Sequence, residues 1–351
     1  MEQPFFLNVM PKNLILFAFT LFLVSCKKEV VISPITKDAF RFNQPEQFSS
    51  PHYNFENNPL TEKGFELGRY LFYDPILSLD SSISCSSCHA QAHGFADHNI
   101  PLSKGVDKKF GTRNAPALMN LAWSTSFMWD GGVNHIEVQP LVPLTSEHEL
   151  GETMANLVIK LNNNVFYKKK FKEAFGIETI TDQKLLHALA QFTSMLISSN
   201  AKYDQVIAGK TSFTPQEQQG YELFKAKCAN CHTEPLFTDY SYRNTGLETN
   251  FKDIGRERVT QDPADRGKFK VPTLRNVEFT YPYMHDGRLF NLEQVLAFKS
   301  SGIQDSPTLD TSLKNGLNLS KEEQQAIIAF LKTLSDYTFI GNPMYAEPVI
   351  K

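Results

Sequence analysis

The residues best equipped for chemistry fall in two matching patterns. Cys85-Ser86-Ser87-Cys88-His89 and Cys228-Ala229-Asn230-Cys231-His232 are each a Cys-x-x-Cys-His, set 143 residues apart. That spacing attaches a c-type haem: two thiols add covalently to the macrocycle edge, and the following imidazole reaches the iron from one face. Two motifs predict two covalently bound haems, with His89 and His232 as proximal ligands. The function of each haem then depends on what faces it from the other side.

These motifs need helices and loops to position them. Asn58-Pro59-Leu60-Thr61 opens a helical pattern with Leu67, Tyr70 and Leu71 on one face, ending near Asp74-Pro75. A serine-rich turn then delivers Cys85. A long loop rich in Gly, Lys and Asp covers 90–112 and is closed by Arg113-Asn114-Ala115-Pro116. A helix is predicted over 181–198, with Leu185, Leu186, Leu189, Phe192, Leu196 and Ile197 on its apolar face. Thr214-Pro215-Gln216-Glu217 is a capping box with proline at the first helical position, and its helix runs into Cys228. Ser320-Lys321-Glu322-Glu323 is a second box, opening a terminal helix with Ile327, Ile328, Phe330, Leu331 and Leu334 inward. Strand-like alternation is weak. The expected fold is mainly α: two cytochrome c-like haem domains, 51–205 and 206–345, with long haem-packing loops and related by duplication.

The length of 351 residues suits two domains, and a formal net charge of −3 gives no case for nucleic acid. The fifth cysteine, Cys26, leaves no pair for a disulfide. It ends an apolar run over 14–24, preceded by Lys12, of signal-peptide length and short for a spanning helix. Leu23-Val24-Ser25-Cys26 resembles a bacterial lipoprotein cleavage site. The expectation is a signal peptide over 1–25, lipidation of Cys26 and a polar, proline-punctuated tether over 26–50. A plain signal peptide cut nearby is the alternative. Both export the chain, to the periplasmic side of a membrane in the lipoprotein case.

The halves repeat beyond the haem motifs. Phe127-Met128-Trp129-Asp130-Gly131 follows the first, and Tyr283-Met284-His285-Asp286-Gly287 follows the second. Arg113-Asn114 and Arg275-Asn276 precede them. Ile136-Glu137 and Leu292-Glu293 follow at equal spacing from the aspartate. Carried onward, this register lays Pro143 opposite Lys299.

With these segments in hand, residues 50–340 resemble the dihaem bacterial cytochrome c peroxidases and their MauG-like relatives. The likeness rests on the haem motifs, Arg113-Asn114-Ala115-Pro116, Trp129-Asp130-Gly131, the segment from Gln191-Phe192 to Tyr203-Asp204, Val271-Pro272-Thr273-Leu274-Arg275-Asn276, and Pro282-Tyr283-Met284-His285-Asp286-Gly287. The resemblance implies that the first haem reacts with hydrogen peroxide and the second receives electrons. It places Gln139, Pro143 and Glu149 on the open face of the first haem. Glu149 would move a proton between the peroxide oxygens, Gln139 would hold peroxide or water, and Pro143 offers no ligating atom. Glu147 competes with Glu149 for the acid–base role. Trp129 would relay electrons, against the alternative of a core aromatic. A calcium ion would take the side chain of Asn114 and the carbonyls of Thr280 and Pro282.

Many such peroxidases cap the resting first haem with a loop histidine. That place reads Val106 here, which implies a haem open at rest, although His93 and His98 share the loop. The family fills the sixth position of the second haem with methionine or tyrosine, at the place of Lys299. A deprotonated amine ligates iron, and Met284 is the chemically easier competitor. His285 is expected beside the haem edge rather than on the iron. The implied donor is a small exported protein, a monohaem cytochrome c or a cupredoxin, and many relatives form homodimers. Three functions remain: a peroxidase, a MauG-like oxidase of a protein or small molecule, and a non-catalytic dihaem carrier.

Overall fold

A helix crossing organises each half. Helix α1 (Glu62–Tyr73) starts at Thr61, whose hydroxyl accepts from the Gly64 amide. Its face of Phe65, Leu67, Leu71 and Phe72 is buried. The first half continues through α2 (Leu141–Thr145), α3 (Met154–Asn162), α4 (Val165–Phe175) and α5 (Asp182–Ser194). The second holds α6 (Lys202–Ile207), α7 (Pro215–Lys227), α8 (Glu257–Thr260), α9 (Leu292–Ala297), α10 (Lys321–Lys332) and α11 (Tyr337–Ile340). Two-residue strands β1 (Tyr242–Arg243) and β2 (Phe269–Lys270) pair antiparallel, Tyr242 with Lys270. The computed structural model describes residues 40–97 and 99–349, so Cys26 and His98 lie outside the described residues.

Helix α1 crosses α5, and α7 crosses α10, at a glycine in each case. A Cβ on Gly68 would stand 2.0 Å from the Ala188 carbonyl oxygen, and one on Gly220 1.9 Å from that of Ala326. Phe192 and Phe330 flank these contacts and are fully buried. The two crossings are the same joint made twice, and they show two cytochrome c-type domains in a mainly helical chain.

The capping boxes at Thr214 and Ser320 form as the sequence predicts. Helix α5, however, stops at Ser194 rather than 198. The Ser198 amide is taken by Asn120 Oδ1 at 2.9 Å, and its carbonyl by Asn120 Nδ2 at 3.0 Å. A side chain therefore supplies the bonds that helix continuation would have made. Asn276 does the same beyond α10, accepting from the Asp336 amide at 2.7 Å. Asn120 and Asn276 are both left-handed, φ 56° and 57°. Their spacing matches that of Met128 and Met284, also left-handed at φ 68° and 73°. The counterpart of Asn276 is thus Asn120, which corrects the sequence pairing of Arg113-Asn114 with Arg275-Asn276.

Within the second half, Arg275 is fully buried and bidentate to Asp204 of α6 at 2.9 and 2.8 Å. After α10 the chain returns to the first half, where Phe339 and Tyr345 join its core. There Tyr73 donates to the Tyr345 carbonyl at 2.8 Å.

Candidate haem sites and the junction between them

Each Cys-x-x-Cys-His is one tight turn. The His89 amide donates to the Cys85 carbonyl at 2.9 Å, and the His232 amide to that of Cys228 at 3.0 Å. Cys228 caps α7, so that helix aims the second motif. Both imidazoles are held alike: His89 Nδ1 lies 2.8 Å from the Phe95 carbonyl oxygen, and His232 Nδ1 3.1 Å from that of Phe237. A carbonyl only accepts, so Nδ1 carries the proton and Nε2 keeps its lone pair for a metal. The two phenylalanines are left-handed, φ 58° and 55°, which turns their carbonyls inward. Burial pushes both imidazoles down, His232 to about 4, so both are neutral at neutral pH.

A cavity of ≈ 680 Å³ opens over the second motif, lined by Cys228, Cys231 and His232 with apolar walls including Leu274, Val277 and Leu296. Two thiols, a free imidazole nitrogen and an apolar slot of this size fit a covalently held haem. The cavity continues past Trp129 to Met128 and Gln139. Asn114, Thr280, Pro282, Met284 and Lys299 also line it. Cys85, Cys88, His89, Pro143 and Glu149 do not. Burial pushes the Cys85 and Cys88 thiols up, to about 12 and 11, and the nearby Glu149 charge acts on both in the same direction.

Glu149 and Glu147 differ sharply. The Glu147 carboxylate is 75% exposed and pairs with Lys109 at 3.0 Å. Glu149 is half-buried, and burial raises its pKa. Its carboxylate makes no ion pair or hydrogen bond among the described residues. Val106 is buried, and its amide donates to the Glu149 carbonyl at 2.9 Å. Gly105 packs against the His148 and Glu149 carbonyls, where a Cβ would stand 2.1 Å from the first. The loop is therefore docked on the segment that carries the acid. Pro143 sits within α2, and its carbonyl accepts from the Leu150 amide at 3.1 Å. Gln139 Nε2 points at Met128 Sδ, 4.0 Å away. His93 lies in a 3₁₀ turn, edge-on to Tyr281 at 6.4 Å.

Trp129 is held from both halves. Its indole N–H donates to the Asn114 carbonyl at 2.8 Å, and its own carbonyl accepts from the Lys270 amide at 2.7 Å. Asp130, beside the ring, is the hub of a charge network. Asp130 Oδ2 accepts from Arg113 and Arg258, each at 2.7 Å. Arg113 also grips Asp253 with bonds of 2.6 and 2.8 Å. These arginines hold the Asp130 and Asp253 carboxyls below the usual range, against the opposing effect of burial.

Lys299 lies in a π turn (Phe298–Gly302) that ends α9, a distortion often found at functional sites. Burial pushes its amine down to about 8. Met284 sits in the same left-handed turn as Met128, whose sulfur faces Gln139. His285 is buried and stacked on Phe269, ring centroids 3.7 Å apart. The Asn114 side chain donates to the Pro101 carbonyl at 3.0 Å, leaving its own carbonyl oxygen for another partner. Lys270 and the Asp130 hub escaped sequence reasoning. The only signal for Lys270 is the corrected register, which lays it opposite Asn114.

Fold and attachment turns together define the class: a dihaem cytochrome of the c type. The sequence model of the di-haem cytochrome c peroxidase family matches residues 62–212, and that of cytochrome c matches 217–335. The chain is 36% identical over 300 residues to the methylamine utilization protein MauG of Methylorubrum extorquens, covering 84% of this chain and 83% of that one. It is also 36% identical over 276 residues to cytochrome c551 peroxidase of Nitrosomonas europaea, covering 77% and 79%. Among solved structures, a MauG-like protein associated with microbial copper homeostasis superposes with a TM-score of 0.81 at 30% identity, covering 88% of this chain and 99% of that one. The chain belongs to the dihaem cytochrome c peroxidase family that includes MauG, an oxidoreductase family whose two cytochrome c domains imply two c-type haems. Among the described residues, no helix is long and apolar enough to cross a membrane.

Proposed function

We propose that this chain reduces hydrogen peroxide to water at its first haem, with electrons arriving through the second from a small exported donor, a monohaem cytochrome c or a cupredoxin. The observation that carries this reading is Glu149: a half-buried carboxyl with no salt bridge or hydrogen bond among the described residues, beside the first attachment motif. When bound, the haems supply the iron chemistry that accepts peroxide oxygen and stores electrons. Glu149 takes a proton from the peroxide oxygen that first meets the site and returns it to the one that leaves as water. Gln139 orients peroxide by hydrogen bonding. Pro143 and Val106 bring no side-chain atom that ligates iron and would leave the peroxide-facing side of the first haem accessible. Trp129, bonded to Asn114 and Lys270, bridges the halves as the relay. Lys299, with Met284 as competitor, would supply a further ligand to the second haem when it is bound. Calcium at Asn114, Thr280 and Pro282 would stiffen the junction, and chelation is expected to slow turnover that added calcium restores. A lipid on Cys26 would hold the protein at a membrane on the periplasmic side.

A second reading, a MauG-like oxidase, is favoured by Val106 and its docked loop, which put a non-ligating side chain where many such peroxidases carry a histidine cap. Rapid mixing with hydrogen peroxide, followed by reduced cytochrome c, separates the two. A spectral change that decays as cytochrome c is oxidised is the expected peroxidase result. A spectral change without cytochrome oxidation selects the oxidase. No reaction at all would leave a carrier and end both readings.

A further inference from the structure

The second-haem cavity contains a cation that the proposed chemistry does not use. Lys270 ends β2, where its backbone amide holds the Trp129 carbonyl at 2.7 Å. Lys270 is among the residues that line the cavity, and its Nζ donates to the Ser126 carbonyl at 2.5 Å and lies 5.8 Å from the centre of the Phe127 ring, another lining residue. One carbonyl fills one of three N–H donors. No carboxylate pairs with Lys270 among the described residues. Asp130, whose charge reaches it, is already occupied by Arg113, Arg258 and the Gly132 amide. Another cation lining the cavity, Arg243, is satisfied by Asp310 at 2.7 Å and Asp239 at 3.0 Å. A half-buried ammonium of this kind, with donors left over, is matched by an anion supplied by whatever occupies the cavity.

The occupant has such anions. A haem carries its thioether bonds on the vinyl side and two carboxylates on the propionate side of the ring. Lys299 lies near Cys228 and Cys231, and Lys270 lies at the Trp129 end. We infer that the Lys270 ammonium holds a propionate of the second haem against the backbone of the Trp129 turn, making Lys270 a positioning residue that sets the charge where the two halves meet. This deepens the peroxidase reading by naming what anchors the second haem to the relay.

The test measures the midpoint potential of the second haem by spectroelectrochemistry of the full protein, without peroxide. K270Q keeps an N–H for the Ser126 carbonyl but removes the charge. K270M keeps the apolar stem against Phe127 and serves as the second variant. An uncompensated propionate favours the ferric state, so both are expected to shift the potential downward, while K270R stays near wild type. Wild-type potential in K270Q or K270M overturns the inference. So does a wild-type potential that moves with acetate concentration at fixed ionic strength, which would make the anion an exchangeable solute. None of these readings depends on reactivity toward peroxide, so the peroxidase proposal stands or falls separately.

Discussion

Glu147 and Glu149 stand two positions apart with the same side chain, and what separates them is burial. The loop over 103–111 docks on this segment through Val106 and Gly105, leaving Glu147 with Lys109 in solvent and turning Glu149 inward. A proton carrier must be ionised to accept. Burial raises the Glu149 pKa above its ordinary 4.5, so the peroxidase reading predicts that activity falls as pH drops through that raised value. E149Q should lower kcat with peroxide about 10²- to 10⁴-fold and abolish this acid limb, at unchanged haem content. A loss under tenfold, or a persistent limb, removes Glu149 from the mechanism. At the second haem, K299M should replace a nitrogen ligand by sulfur. A sulfur-to-iron charge-transfer band should appear and the potential should rise, because methionine ligation raises it. M284L should change neither. If M284L alone alters the low-spin signal, Met284 is the ligand. The attachment motifs were legible because their chemistry is contained in five consecutive residues. The choice between Glu147 and Glu149 was not, since it depends on a loop forty residues upstream in sequence.

At the scale of elements, sequence and structure agree where the signal is local. Thr61, Thr214 and Ser320 cap the helices expected of them, because a hydroxyl and the third amide beyond it need no distant partner. The end of α5 was misread because Asn120, far away in sequence, takes the backbone of Ser198. The joints at Gly68 and Gly220 were also invisible, since a glycine inside a helix shows no partner until the crossing forms. Each crossing leaves no room for a methyl group. G68A and G220A should each destabilise the holoprotein by about 1–3 kcal/mol through overpacking, read by denaturant unfolding. If the duplication extends to the joints, the two losses should be similar. A neutral G220A beside a costly G68A would show that the crossings are not equivalent.

Across the whole molecule, Trp129 belongs to the first half by sequence yet is held equally by the second. Asn114 takes its indole N–H, Lys270 takes its carbonyl, and Asp130 beside it collects Arg113 and Arg258. Removing the hub charge takes one carboxylate from Arg113, which keeps Asp253, and one from Arg258, which is 63% exposed. D130N should therefore cost on the order of 1–3 kcal/mol, the penalty for weakening a buried charged hydrogen bond rather than for stranding a charge. That loss concerns assembly of the junction, and a relay must be tested without dismantling it. W129F keeps the backbone carbonyl bonded to Lys270 and leaves every charge in the Asp130 network in place. It removes the indole and its bond to Asn114. If Trp129 carries electrons between halves, W129F should leave the first encounter with peroxide at its normal rate. Delivery from the pre-reduced second haem to the first should slow, and steady-state oxidation of cytochrome c should fall with it. Both phases are resolved in one rapid-mixing experiment on the half-reduced protein. A thermal unfolding midpoint close to wild type would show that the junction is intact. Unchanged delivery in a folded W129F would return Trp129 to the role of a core aromatic and move the path between the haems elsewhere in the junction.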